Sequence, residues 1–258
     1  MTPGGPDERL RRASAVIYVD DLDDLDDLAV APEDAHHLLD VLRLQAGVEV
    51  AASDGRGRFR PCRLVTTRAR GKGHQDRGVA LEPLGDPVGD PGGAPPEGGP
   101  RTVAFALVKG ARPEWAVQKL TEVGVDRIVP LVTARTVVRL DAPGALRRAD
   151  RLRRVAREAA SQARRTRLPE VAVPTRLDRY LAEGTLDGLP APSPGAVALA
   201  EPGGLGLDPA TRCVVVGPEG GWTPEELALG KRRLGLGRHV LRAETAAVVA
   251  GVLLTLAR

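Results

Sequence analysis

Residues 85–100, GDPVGDPGGAPPEGGP, constrain this chain more than any other segment. Eleven of these sixteen residues are Gly or Pro. Proline lacks a backbone donor and glycine loses the most entropy on ordering, so no regular structure is expected there. The run divides the chain into a small domain at 1–84, an interdomain linker at 85–100 and a larger domain at 101–258. With 258 residues and 42% hydrophobic content, the chain can bury one large or two small cores. Aromatic residues are only 2%, so those cores are built from Val, Leu and Ala. The same scarcity argues against an RNA-binding sheet that stacks bases on many aromatics. Net charge is +3, so the placement of charge matters more than its total.

No stretch of about 18 apolar residues is present, so no transmembrane helix is expected. The N-terminal MTPGGPDERLRRAS lacks the apolar core of a signal peptide. Cys62 and Cys213 are isolated, which points to a reduced, cytoplasmic protein.

Short apolar runs at Val16–Val19, Val48–Ala51, Arg63–Val65 and Val79–Leu81 are separated by turns such as Ser53–Gly57. They predict a small β-barrel, with one short helix at Ala35–Leu44. The acidic run Asp20–Asp27 reads as a solvated loop. Beyond the linker, strands and helices alternate. Strands are predicted at Thr102–Val108, Arg127–Leu131, Val197–Ala200, Cys213–Val216 and His239–Leu241. Helices are predicted at Pro113–Val123, with Trp115 on its apolar face, and at Ala145–Arg165, Pro224–Leu234 and Thr245–Ala257. Such alternation implies an α/β fold with a mainly parallel sheet, which binds ligands at the carboxyl ends of its strands.

Two loops near the C-terminus carry the chemistry. In Arg212–Leu227, RCVVVGPEGGWTPEEL, an apolar strand runs into a glycine-rich loop and then a helix. Thr223, Pro224 and Glu226 fit a capping box, with Thr223 as N-cap and Glu226 three positions on. Gly217, Gly220 and Gly221 permit backbone conformations that expose amides to a ligand. Glu219 has no evident local partner. The second loop, Val240–Ala246, leads into the last helix. No P-loop and no dinucleotide-binding glycine fingerprint is present. No His/Cys cluster has zinc spacing, so no metal is expected. Arg147–Arg167 holds nine arginines against Asp150 and Glu158, the strongest basic concentration in the chain.

These residues resemble the RsmE-type 16S rRNA (uracil-N3)-methyltransferases of the SPOUT superfamily. His36–Arg43, Gly47 and Asp54–Gly57 are similar to that family's PUA-like N-terminal domain. Lys109-Gly110, Trp115, Gln118–Val125 and Ile128–Pro130 resemble its first C-domain motif. Glu158–Gln162, Arg164-Arg165 and Pro169-Glu170 resemble its second, and Gly217–Gly221 with Leu241–Ala246 its cofactor loops. Trp222 stands where the family pattern has Phe, and Val123 where it has Leu.

The resemblance implies a trefoil-knotted C-terminal methyltransferase domain behind a small PUA-like β-barrel, assembled as a homodimer. It implies S-adenosyl-L-methionine as cofactor, held by Leu199, Glu201, Gly203, Gly217, Pro218, Glu219, Gly220, Gly221, Val240, Leu241, Arg242, Glu244, Thr245 and Ala246. The expected substrate is N3 of a uridine, position 1498 in the usual numbering, in 16S rRNA of the small ribosomal subunit. Arg164 or Arg165, with Arg242 third, would stabilise the deprotonated uracil. His37, Arg43, Arg58 and Arg60 would contact RNA. The alternatives are a methyltransferase acting on another RNA such as tRNA, and a non-catalytic ribosome assembly factor.

Overall fold

The computed structural model describes residues 5–24, 30, 35, 37–68, 77–94, 97–182, 185–186, 189–190 and 192–257. The chain forms two compact units. One comprises residues 1–95 with 160–168, and the other residues 96–159 with 169–258. Residues 160–168, which the sequence division assigns to the C-terminal domain, therefore pack with the N-terminal one.

In the first unit, α1 (Pro6–Arg12) precedes a five-stranded sheet. Strand β1 (Val16–Tyr18) runs parallel to β2 (Glu49–Ser53). Strands β3 (Arg58–Arg68) and β4 (Arg77–Pro83) continue antiparallel, and β5 (Val88–Gly89) pairs with β3. Among the described residues no ladder joins β4 back to β1. Alternation decides the two faces. Ile17, Val50, Ala52, Cys62 and Leu64 pack on one side. Val16, Tyr18, Ala51 and Phe59 pack on the other, where Ala160 joins them. The helix expected at Ala35–Leu44 is a single wide turn at His37–Val41.

The Gly/Pro run is more ordered than its composition predicts. Val88–Gly89 extends the sheet. Asp90 caps a 3-10 turn at Pro91–Gly93, and its Oδ2 accepts from the Thr166 hydroxyl at 2.5 Å. Proline is tolerated here because an edge strand and the start of a helical turn leave its missing donor unneeded.

The second unit is a parallel sheet in the order β14-β12-β13-β6-β7-β8, with β9 beside β7. Its members are β6 (Thr102–Ala106), β7 (Arg127–Val132), β8 (Glu170–Val171), β9 (Thr175–Arg176), β12 (Val197–Leu205), β13 (Cys213–Val216) and β14 (Arg232–Leu234). A short antiparallel pair, β10 (Thr185–Leu186) and β11 (Leu189–Pro190), stands apart. Strands β6 and β13 are buried along their whole length, as central parallel strands covered on both faces must be. Pro130 sits inside β7 without breaking it. Leu131 accepts from Leu107 on the β6 side, and Ile128 accepts from Ala172 on the β8 side. By alternation Pro130 faces the gap where β8 has ended and β9 has not begun.

Helices cover both faces. The buried side of α2 (Arg112–Glu122) carries Ala116, Val117 and Leu120, and that of α6 (Ala243–Leu256) carries Ala246, Ala247, Ala250 and Leu254. Both pack with α3 (Ala142–Gln162) on one face. On the other face lie α4 (Leu177–Ala182) and α5 (Pro224–Leu229), with Tyr180 and Trp222 in the core. Trp115 does not join the apolar side of α2; it is 43% exposed. Gly251 lets α2 and α6 touch. A Cβ there would lie 2.8 Å from Leu120 Cδ2 and 3.0 Å from Val125 Cγ2. Gly251→Val is expected to lower the unfolding free energy by about 1–3 kcal/mol through overpacking, measured by urea denaturation.

Two predicted elements are corrected. The helix at Pro224–Leu234 ends at Leu229, because Arg233 turns back and donates to the carbonyls of Leu227 and Gly230 at 2.5 and 2.6 Å. Its last residues instead form β14, parallel to β12. The strand at His239–Leu241 is a loop. Among the described residues no helix is long and apolar enough to cross a membrane.

Candidate active site

The site is built at the carboxyl ends of β12 and β13. Strand β13 delivers Val216 into the loop Gly217–Trp222, and the predicted capping box then starts α5. Glu226 N donates to Thr223 Oγ1 at 3.2 Å, and Thr223 N donates to Glu226 Oε2 at 3.0 Å. The other oxygen of Glu226 accepts from Ala134 N at 2.7 Å, tying the loop after β7 to this cap. Trp222 folds back under the loop, and its Nε1 donates to Ala200 O of β12 at 3.0 Å. Gly217 permits that fold, since a Cβ on it would lie 2.8 Å from the Trp222 ring.

Together with the loop Leu236–Leu241 and the start of α6, these residues enclose a cleft of about 230 Å³, open on one side. Of the predicted cofactor residues, Glu201, Gly217, Pro218, Glu219, Gly221, Val240, Leu241 and Ala246 line it. Leu199 is buried in the core, and Gly203 lines a separate hollow with Asp208 and Arg232. Gly220 instead offers its carbonyl to Arg135 Nη1 at 2.5 Å. Arg242, Glu244 and Thr245 are not among the lining residues. Arg242 is the N-cap of α6 and makes no side-chain cap bond. Ala200, Pro202 and Ala243 line it too, within the loops at Leu199–Gly203 and Val240–Ala246 that the resemblance assigns to the cofactor, while Val216, Trp222, Leu236, Gly237 and His239 were missed as lining residues. Trp222 was the one with a signal, as the aromatic that closes a glycine loop.

Glu219, which has no evident local partner in the sequence, accepts from the distant Arg112 Nη1 at 2.6 Å. Glu244 lies in the first turn of α6, where the helix dipole favours a carboxylate.

The remaining candidates belong to the first unit. Arg164 has φ 56, one of two non-glycine residues with positive φ among those described. It stands just past the end of α3. Arg165 N donates to Ala160 O at 2.9 Å, and Arg164 N donates to Ser161 O at 3.2 Å. This is a Schellman ending with arginine in the place that glycine usually takes. Arg164 is exposed, and Arg165 is half-buried with its carbonyl accepting from Tyr18 Oη at 2.7 Å. Of the RNA candidates, Arg43 is exposed and left-handed, φ 53. Arg58 pairs with Asp23 at 3.2 Å. Arg60 is corrected. It is buried, with Nε donating to Gly85 O at 2.8 Å and Nη1 to Leu22 O at 2.9 Å, so it holds the fold rather than a ligand. The side chain of His37 lies outside the described residues.

Burial pushes the Cys62 thiol up to about 11 and the Cys213 thiol up to about 12. Neither forms a nucleophilic thiolate near neutral pH. Among the described residues no group of three His, Cys, Asp or Glu is placed to hold a metal ion.

The fold and the cleft together define a class, a parallel α/β protein that takes up a small ligand between loops at its strand ends. A family described as "RNA methyltransferase domain" matches residues 96–255, and one described as "RNA methyltransferase PUA domain" matches residues 30–68. The ribosomal RNA small subunit methyltransferase E of Mycobacterium bovis is 34% identical over 251 residues, covering 91% of this chain and 88% of its own. That of Bacillus subtilis is 26% identical, covering 86% and 87%. A methyltransferase-family structure from Legionella pneumophila, solved in complex with the bound cofactor SAM, superposes with TM-score 0.72 at 25% identity, covering 95% of this chain and 98% of its own. The chain belongs to the RNA methyltransferase family, as an RsmE-type member of the SPOUT superfamily.

Proposed function

We propose that this protein methylates N3 of a uridine, position 1498, in 16S rRNA of the small ribosomal subunit, with S-adenosylmethionine as methyl donor. The observation that carries this reading is the cleft itself, formed by a glycine loop and floored by Trp222 at the ends of parallel strands. Its walls suit the donor. Val216, Trp222, Leu236 and Leu241 offer apolar surface for a purine, and Glu201 and Glu219 offer acceptors for ribose hydroxyls and balance for a positive charge.

When bound, S-adenosylmethionine supplies a methyl group already activated on a sulfonium. The protein's own work is then positioning and charge. The loops at Gly217–Gly221 and Val240–Ala243 would hold the donor in one orientation, which provides several kcal/mol, on the order of the gain from fixed geometry. Loss of the N3 proton spreads negative charge onto O2 and O4 of uracil, and an arginine beside them stabilises it. We assign that role first to Arg164. Its left-handed backbone keeps an arginine where glycine would cost less, with Arg165 and Arg242 as further candidates. N3 lies on the pairing edge of the base, so the target uridine must be unpaired or extruded.

The first unit supplies RNA contacts through Arg43 and Arg58. Arg43→Ala is expected to weaken RNA binding, to reduce its salt slope by about one and to leave cofactor affinity unchanged; titration at several salt concentrations checks this. A PUA-like barrel for this unit and a trefoil knot for the other complete the proposed architecture. The exposed Trp115 supports a homodimer, read by light scattering of wild-type protein and Trp115→Glu.

The deciding experiment is methyl transfer from labelled S-adenosylmethionine to small subunits lacking their own uridine methylations, with mass-spectrometric mapping. One N3-methyluridine in 16S rRNA is the expected product. Label on tRNA, or binding to subunits without transfer, would replace this reading with another RNA substrate or an assembly role.

A further inference from the structure

Two chain segments line the cleft, the glycine loop and the first turn of α6. Each presents a carboxylate to the same cation. Arg112 opens α2, and its Nη1 lies 2.6 Å from Glu219 Oε1 and 4.0 Å from Glu244 Oε2. The two acids differ in setting. Glu219 is 53% exposed at its side chain and Glu244 only 10%. Glu244 Oε2 is buried and has no hydrogen-bond partner among the described residues. A buried carboxylate oxygen without a donor is costly, and the Arg112 guanidinium at 4.0 Å is the cation placed to offset it. The helices α2 and α6 run side by side in the same direction. Arg112 meets Glu244 at their starts, and Leu120 meets Gly251 two turns on. Packing between the helices therefore fixes where Arg112 stands.

We propose that Arg112 is a positioning residue of the transfer reaction. By sharing one planar guanidinium between Glu219 and Glu244, it sets the spacing of the two segments that grip S-adenosylmethionine. The inference rests on the reading of this cleft as the donor site. Both acids approach the same nitrogen, Nη1, one at hydrogen-bond distance and the other at ion-pair distance. Lysine keeps the charge on a different head group, so it should serve the pair only in part.

The test uses full-length protein and calorimetric titration with S-adenosylmethionine, beside steady-state transfer to small subunits. Arg112→Ala is expected to raise the Kd and KM for S-adenosylmethionine by about tenfold or more. RNA affinity stays at the wild-type value. Arg112→Lys recovers part of the loss. The effects of Arg112→Ala and Glu219→Gln fall short of adding in the double variant, since both remove one contact. Wild-type affinity in Arg112→Ala would overturn the proposal, as would full additivity. Should Arg112→Ala fail to fold, Arg112→Met keeps the test, because it retains the aliphatic stem and removes only the shared guanidinium. A Kd raised severalfold supports the shared contact, and an unchanged Kd overturns it. Absence of S-adenosylmethionine binding by the wild-type protein would instead overturn the reading of the cleft, and the proposal with it.

Discussion

Trp222→Ala is expected to lower the free energy of unfolding by about 3–5 kcal/mol and to abolish S-adenosylmethionine binding. The indole is 7% exposed and packs with Leu199, Val215 and Leu177 across one face of the sheet. Removing it leaves a void beside Gly217 that the surrounding strands cannot close. It also strips the carbonyl of Ala200 of its donor at the edge of the cleft. Trp222→Phe separates the two losses. It keeps an aromatic ring in place and forfeits the hydrogen bond with part of the packing, at about 1–3 kcal/mol. It should fold well and bind S-adenosylmethionine within about tenfold of wild type. Urea unfolding and calorimetry measure both quantities, and an alanine variant that binds normally would show that the loop stands without its floor.

Arg164→Gly is expected to move stability and activity in opposite directions. A non-glycine residue in the left-handed region costs on the order of 1 kcal/mol, so glycine should raise the unfolding free energy by about that amount. Loss of the guanidinium should lower kcat by roughly 10²–10³, the scale seen when one donor to a developing negative charge is removed. A structural role for Arg164 predicts the reverse, an unchanged kcat. The same measurement on Arg165→Ala and Arg242→Ala ranks the three candidates, with cofactor affinity as the control for folding.

What the sequence disclosed, it disclosed where the cause was local. Thr223 and Glu226 are three residues apart and cap each other, so the capping box could be read directly. Strand β13 is four apolar residues bounded by polar and glycine positions, and it begins and ends as predicted. Failures followed where a distant partner decided. Strand β14 is Arg-Arg-Leu, which no periodicity marks as a strand, and it forms because β12 offers an edge. Arg60 looks like a surface cation until Gly85 and Leu22 present carbonyls to it. Arg112, at the start of α2, and Arg135, just past β7, reach the glycine loop from far away in sequence, and nothing in KGARPEW or VTARTV announces it. In the cleft the glycines were legible, while the side chains that hold them were not.

The first unit is not finished by the first part of the chain. Ser53 Oγ and Gly57 N both donate to the carbonyl of Thr166, Tyr18 to that of Arg165, and Ala160 fills the space beside Phe59. A nascent chain that has emerged only to residue 95 has none of these partners. Domains made in sequence order usually fold in that order. Here the unit that begins first lacks the carbonyls of Arg165 and Thr166 and the side chain of Ala160 until residue 168 has left the ribosome. Residues 1–95 expressed alone are expected to be less stable than the same unit in the full chain, measured by urea denaturation of both.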